Sequence, residues 1–370
     1  MKLTYERFLI NKGTQKHVPI NASLELLPLC NMNCDMCYVR LNKSEMEKQG
    51  KLLTSDQWLE IAKQMQKAGT VFVILTGGEP LLYPEFKKVY LGLKKLGMII
   101  TINTNGTLIN EEWANFFSNH LPRRINITLY GDSEKTYQEL CHYPTGFKKA
   151  INAIKLLRNN NVDVKINGSL VRANQSNMKN IITIAKELNV PINIDTYMYP
   201  AIRERLKPSD QQARLSPQEA AKAKHIFNQS KMTAKEYYDL AIQTLNTYEN
   251  TDDGKEVPGK MKCQAGKTSF TINWQGYMRP CVMLSTTAIS LLKHDFTNAW
   301  DQLGNQIEEI DLSCKCNSCK MRNICNTCAA CALLETGNFD GTPDYMCQYT
   351  KEKLKLYKEY IDNYKNKSEP

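Results

Sequence analysis

The sequence predicts an α/β protein built on a parallel sheet, with a cysteine-rich part added at its C-terminal end. Over the first two hundred residues, six short β-branched runs alternate with amphipathic stretches. Nine of the thirteen cysteines then crowd between Cys263 and Cys347. Strict strand–helix alternation implies parallel strands joined by right-handed crossovers. Six such units make a partial (β/α)6 TIM-like barrel, three-quarters of the closed eight-unit form, whose chemistry collects at the C-terminal ends of the strands.

In chain order the strands are expected at Ser23–Leu27, Val71–Leu75, Met98–Asn103, Arg124–Leu129, Val162–Leu170 and Val190–Tyr197. Between them, helical periodicity covers Ser55–Ala68, Glu85–Leu96, Glu111–Ser118, Phe147–Asn160 and Met178–Leu188. Thr54 or Ser55 supplies an N-cap, and Gly69 and Gly97 supply stops. The stretch from Pro208 to Tyr248 is helical and polar, opened by a cap at Ser216-Pro217-Gln218-Glu219. Thr268–Asn273, turned at Trp274–Tyr277, reads as a hairpin. These features divide the chain into an N-terminal extension (1–20), the barrel (21–200), a helical linker (201–260), the cysteine-rich domain (261–350) and a C-terminal helix or tail (351–370).

The first residues carry charges of both signs and no long apolar region, so they do not read as a secretory signal. The longest apolar runs, such as Val71–Leu75, are far too short to span a bilayer. A cytoplasmic protein is expected, and in that setting the thiols imply metal or cluster ligation rather than disulfides. The formal charge of +10 comes from scattered lysines with no block of five like charges, so neither nucleic acid nor membrane is an expected partner.

The motifs fall at the strand ends. After the first strand comes Cys30-x3-Cys34-x2-Cys37, with no further cysteine until Cys141. Thiolates select zinc, copper(I) or iron–sulfur clusters. A structural zinc site wants four ligands, whereas a cubane on three cysteines keeps one iron open. After the second strand comes Thr76-Gly77-Gly78-Glu79-Pro80, where two glycines permit close backbone approach and a carboxylate is available to an ammonium group. The third strand ends in Asn103-Thr104-Asn105-Gly106 and the fourth in Ile127–Gly131. Cys141-His142 follows; Cys141 is a candidate nucleophile, with a buried inert thiol as the alternative. The sixth strand runs into Asp195-Thr196-Tyr197-Met198-Tyr199-Pro200, with Arg203 and Arg205 beyond.

Taken together these segments resemble the radical S-adenosylmethionine enzymes. The resemblance implies a 4Fe-4S cluster on Cys30, Cys34 and Cys37, whose open iron is chelated by S-adenosylmethionine. Gly77, Gly78, Glu79 and Pro80 match the family's GGEP motif for the amino group, Asn105 its Thr-Asn-Gly turn, and Thr128 the hydroxyl that reaches the ribose. Tyr197 is a candidate for stacking on adenine. Met36 stands where the family usually has an aromatic residue.

The C-terminal pattern resembles the SPASM module of radical enzymes that modify peptides. Cys316-x2-Cys319-x5-Cys325 matches as it stands. The resemblance implies one auxiliary 4Fe-4S cluster on Cys316, Cys319, Cys325 and Cys347. A second would rest on Cys263, Cys281 and either Cys328 or Cys331, with an open corner or Cys314 as the fourth ligand. A pair of zinc knuckles also fits the Cys-x2-Cys spacings.

The implied activity is reductive cleavage of S-adenosylmethionine to a 5′-deoxyadenosyl radical. That radical abstracts hydrogen from a ribosomally made precursor peptide and installs a thioether or carbon–carbon crosslink. A low-potential electron donor of flavodoxin or ferredoxin type is implied. The short stretch before the barrel leaves leader recognition to the barrel mouth, the SPASM surface or a separate leader-binding protein. Val282 stands where sulfatase-maturing relatives carry an Asp, which counts against that activity. An anaerobic sulfatase-maturase-like enzyme, a small-molecule radical dehydrogenase and a zinc-binding adaptor are the alternatives.

Overall fold

The computed structural model describes residues 4–200, 213–252 and 257–368; Arg203, Arg205 and the start of the expected linker helix at Pro208 lie outside them. An N-terminal helix α1 (Tyr5–Lys16) leads into β1 (Asn21–Glu25). After the cysteine loop come α2 (Lys43–Gln49) and α3 (Ser55–Ala68), then β2 (Phe72–Thr76), α4 (Phe86–Lys95) and β3 (Ile99–Thr104). Next are α5 (Glu111–Asn119), β4 (Arg124–Thr128), α6 (Glu134–Cys141), α7 (Gly146–Asn159), β5 (Val164–Ser169), α8 (Met178–Glu187) and β6 (Ile192–Asp195). Two helices follow, α9 (Pro217–Lys231) and α10 (Ala234–Glu249), and then three short strands, β7 (Ser269–Ile272), β8 (Tyr277–Arg279) and β9 (Ile289–Ser290). The chain closes with α11 (Phe296–Glu308), α12 (Cys314–Ser318), α13 (Ala329–Thr336) and α14 (Asp344–Ser368).

Local chemistry explains the boundaries. Thr54 and Gln57 form a reciprocal capping box at α3, and Gly69 closes that helix in the left-handed region at φ 104°. Ser216 and Glu219 cap α9 the same way, with Pro217 in the first turn.

The sheet runs β6-β5-β4-β3-β2-β1-β7-β8-β9. Strands β1 to β6 pair in parallel. The cysteine-rich part continues this sheet: β7 pairs in parallel with the free side of β1, and β8 and β9 add antiparallel. Alternate strand residues such as Leu24, Val73, Ile102, Ile127, Ile166 and Ile194 are buried against Trp58, Met65, Val89, Phe117, Ile154 and Ile181 in one core. That burial is the main driving force for the layer. The other strand face is only partly buried and carries Asn103, Asn126, Thr128 and Asn167. Period-two alternation therefore separates the helix-packed side of the barrel from a polar inner wall.

Candidate functional site

The cysteine loop leaves β1 at the C-terminal end of the parallel sheet and is held by main-chain bonds from two sides. Gly78 N–H donates to Leu27 O at 2.8 Å and Glu79 N–H to Leu29 O at 2.9 Å. A Cβ on Gly77 would strike the Leu27 carbonyl, and one on Gly78 the Leu29 carbonyl. Gly77 also sits at φ 140°. The paired glycines are thus required by the backbone that delivers Cys30. On the far side, Asn33 N–H donates to Cys141 O at 3.0 Å and Asp35 N–H to Leu140 O at 3.1 Å. His142, in the left-handed region at φ 51°, places Nε2 2.7 Å from Asp35 Oδ1.

Cys30, Cys34 and Cys37 are brought together. Burial pushes the Cys30 thiol up to about 12, and the charges of Glu79, Cys34 and Cys37 push the same way. Cys34 is raised well above its ordinary value by its hydrogen bond with Cys141 and by burial. Thiolates crowded in a low-dielectric site repel until a polycation neutralises them. The chemistry of three clustered thiols suits an iron–sulfur core, and Cys141, fully buried, stands behind Cys34.

Asn105 connects this loop to the rest of the site. Its Nδ2 donates to Cys30 Sγ at 3.6 Å and to Asn31 Oδ1 at 2.9 Å. Glu79 is completely buried. Its carboxylate accepts from Leu81 N–H at 3.1 Å, Thr104 Oγ1 at 2.8 Å and Asn105 N–H at 2.8 Å. It clamps the turn after β2 to the turn after β3, and Asn105 passes that constraint to Cys30. Burial raises the carboxyl to about 7 despite those three hydrogen bonds. Pro80 follows directly, opening a short 3-10 turn.

Thr128 ends β4 with Asn167 of β5 as its register partner. The Oδ1 atoms of Asn167 and Asn126 are buried without a hydrogen-bond partner among the described residues. Acceptors left open on the inner wall suit the hydroxyl groups of a ribose. No motif singled out these asparagines; their partly buried position within apolar alternation was the available signal. Tyr197 meets the cysteine-rich part of the chain. Its hydroxyl lies 2.9 Å from Cys331 Sγ and 3.0 Å from Glu335 Oε1, and its ring packs edge-on to Tyr199 and Tyr345.

Seven of the nine C-terminal thiols fall into two neighbourhoods. Cys347 is raised by burial and then by Cys316, Cys325 and Cys319, so these four lie near one another. Cys281 is raised by burial with further contributions from Cys328 and Cys263. A cavity of about 200 Å³ is lined by Cys263, Cys316, Cys319, Cys325, Cys328 and Cys347; Cys314 and Cys331 are not among its lining residues. No three Cys, His, Asp or Glu side chains among the described residues are arranged to hold a single metal ion.

Residues 24–199 match the family model described as the radical SAM superfamily. The chain therefore carries a radical S-adenosylmethionine domain, whose family cofactors are S-adenosylmethionine and a 4Fe-4S cluster. It is similar to the AdoMet-dependent heme synthase of Methanosarcina barkeri, at 24% identity over 85% of this chain and 92% of the relative. It is also similar to the sporulation killing factor maturation protein SkfB of Bacillus subtilis, at 25% identity over 47% of this chain. The aligned region spans only 41% of SkfB. Among solved structures, Streptococcus suis SuiB bound to its precursor peptide SuiA superposes with a TM-score of 0.68 at 16% identity, over 92% of this chain and 80% of SuiB. That likeness covers the barrel and the cysteine-rich part alike. No helix among the described residues is long and apolar enough to cross a membrane.

Proposed function

We propose that this chain is a radical S-adenosylmethionine enzyme of the SPASM type that oxidatively modifies a ribosomally made peptide. The observation that carries the reading is the joining of two thiol-rich centres on one sheet, the Cys30–Cys37 loop after β1 and the cysteine cavity beyond β7. SkfB, a maturation protein, and SuiB, solved with a precursor peptide, support a peptide substrate. Cys30, Cys34 and Cys37 hold the first cluster. Cys316, Cys319, Cys325 and Cys347 hold one auxiliary cluster, and Cys263 and Cys281 belong to another. A flavodoxin- or ferredoxin-type donor and a separate leader-binding protein complete the partners.

When bound, the cluster and S-adenosylmethionine supply one-electron chemistry that activates an unreactive C–H bond. The chain orients that chemistry. Gly77 and Gly78 let the turn after β2 pack directly on the loop backbone, and Glu79 and Asn105 fix the loop against β3. Asn167, Asn126 and Thr128 offer polar contacts on the inner wall, and the apolar core beneath keeps water out of the sheet.

Iron and sulfide analysis of anaerobically purified protein tests the centres. About eight to twelve irons, falling by about four in a Cys30/Cys34/Cys37→Ala variant, is the expected result; zinc without sulfide overturns it. Incubation with S-adenosylmethionine, reductant and precursor peptides encoded nearby should remove two hydrogens per crosslink. The second reading is a small-molecule radical enzyme, favoured by the near full-length match to a heme synthase. Turnover of a tetrapyrrole with no change in any peptide establishes that reading instead.

A further inference from the structure

Spacing leaves two cysteines, three residues apart, as alternatives for one auxiliary ligand, and the structure treats them differently. Cys328 is the N-cap of α13, and its Sγ accepts from Cys331 N–H at 3.4 Å. Tyr199, just past β6, brings its hydroxyl within 3.5 Å of the same sulfur. Cys328 also lines the thiol cavity. Cys331 is only 1% exposed and faces a different neighbourhood. Its sulfur lies 2.9 Å from the Tyr197 hydroxyl and 3.8 Å from Glu335 Oε1, while Arg214 Nη2 holds that carboxylate oxygen at 2.6 Å. The Arg214–Glu335 pair is itself largely buried, with side chains 13% and 10% exposed.

We propose that the two strand-end tyrosines assign these sulfurs their roles: Tyr199 donates to Cys328 as a cluster ligand, while Tyr197 and Glu335 hold the Cys331 sulfur away from the thiol cavity, outside the ligand set. The inference rests on the reading that these cysteines hold iron–sulfur clusters. Cys331 does not line the thiol cavity, and its sulfur is already engaged by the Tyr197 hydroxyl and the Glu335 carboxylate on the other side. Cys328 receives two donors, and donors to a ligand sulfur stabilise the more electron-rich, reduced cluster, raising its potential. The tyrosine rings lock edge to face at 4.9 Å, so the two hydroxyls are placed together. Tyr197 and Tyr199 are positioning residues that reach from the barrel rim into the cysteine-rich part.

The test uses full-length protein in the Cys30/Cys34/Cys37→Ala background, so that only auxiliary centres contribute. Adding Cys331→Ala should leave iron and sulfide content unchanged, whereas Cys328→Ala should lower it. Tyr199→Phe should keep the iron but move one midpoint potential to a more negative value in an EPR-monitored redox titration. Iron loss in Cys331→Ala, or an unchanged potential in Tyr199→Phe, overturns the proposal. Circular dichroism on each variant separates ligand loss from misfolding; Cys331→Ala and Tyr199→Phe decide the matter even where Cys328→Ala misfolds. Parent protein without iron or sulfide refutes the cluster reading itself, a result distinct from either failure.

Discussion

Replacing Glu79 by glutamine should change the sign of that residue's effect on stability between acid and mildly alkaline pH. Glu79 Oε1 accepts from Leu81 N–H and Thr104 Oγ1, and Oε2 accepts from Asn105 N–H. A glutamine oxygen can keep the first two bonds, but its NH2 then faces the Asn105 N–H, donor against donor. Leaving that buried donor unsatisfied costs about 1–3 kcal/mol. Ionisation acts in the opposite direction. Burial lifts the carboxyl from 4.5 to about 7 in the folded chain. Below pH 4.5 both states hold the proton and the group contributes nothing to the pH dependence. From there to about pH 7 the unfolded chain ionises while the folded one does not, so stability falls as pH rises. Once both are ionised the accumulated loss is about 3 kcal/mol. Glutamine abolishes this slope. The variant should be the weaker protein at about pH 4 and equal or stronger by about pH 8. Denaturant midpoints of cluster-free protein without S-adenosylmethionine, taken pairwise across that range, measure the difference. Parallel curves for the two proteins would refute the argument.

Other perturbations follow the same logic. Gly78→Ala forces a Cβ onto the Leu29 carbonyl, so it should lower iron bound at the first site by about four while leaving the auxiliary iron. Asn167→Ala removes an acceptor on the inner wall and should weaken S-adenosylmethionine binding several-fold, about 1 kcal/mol, measured by equilibrium dialysis of reconstituted protein. Arg214→Ala strands the buried Glu335 carboxylate and should cost about 3–5 kcal/mol. The double variant with Glu335→Gln should recover much of that loss, read from thermal midpoints.

Much of the architecture could be read from residue order alone. Alternating burial makes each barrel strand legible within a few residues, and helix α3 is bounded as its capping box dictates. The cysteine loop and the Gly-Gly turn announced themselves because they combine rare residue types at fixed short spacings. What stayed hidden depends on distant partners. Helix α1, with mostly exposed side chains, shows little amphipathic contrast. The inward role of Glu79 depends on Thr104 and Asn105, which lie a full βα unit away. Asn167 looks like an ordinary polar strand residue until its oxygen is seen to lack a partner among the described residues. Cys328 and Cys331 are equivalent as letters and become distinct only when β6 brings two tyrosines against them.

Strand β1 has neighbours on both sides, β2 within the barrel and β7 from the far end of the chain. Cutting the chain at the linker would leave a bare row of amides and carbonyls along Asn21–Leu24, an open invitation to pair with another molecule. The strand that launches the cysteine loop therefore acquires its second neighbour only after more than two hundred further residues have been made. Until then, the growing chain carries an unsealed strand edge beside the loop that bears Cys30, Cys34 and Cys37. Completion of the C-terminal part and closure of that strand edge are one event in the life of the chain.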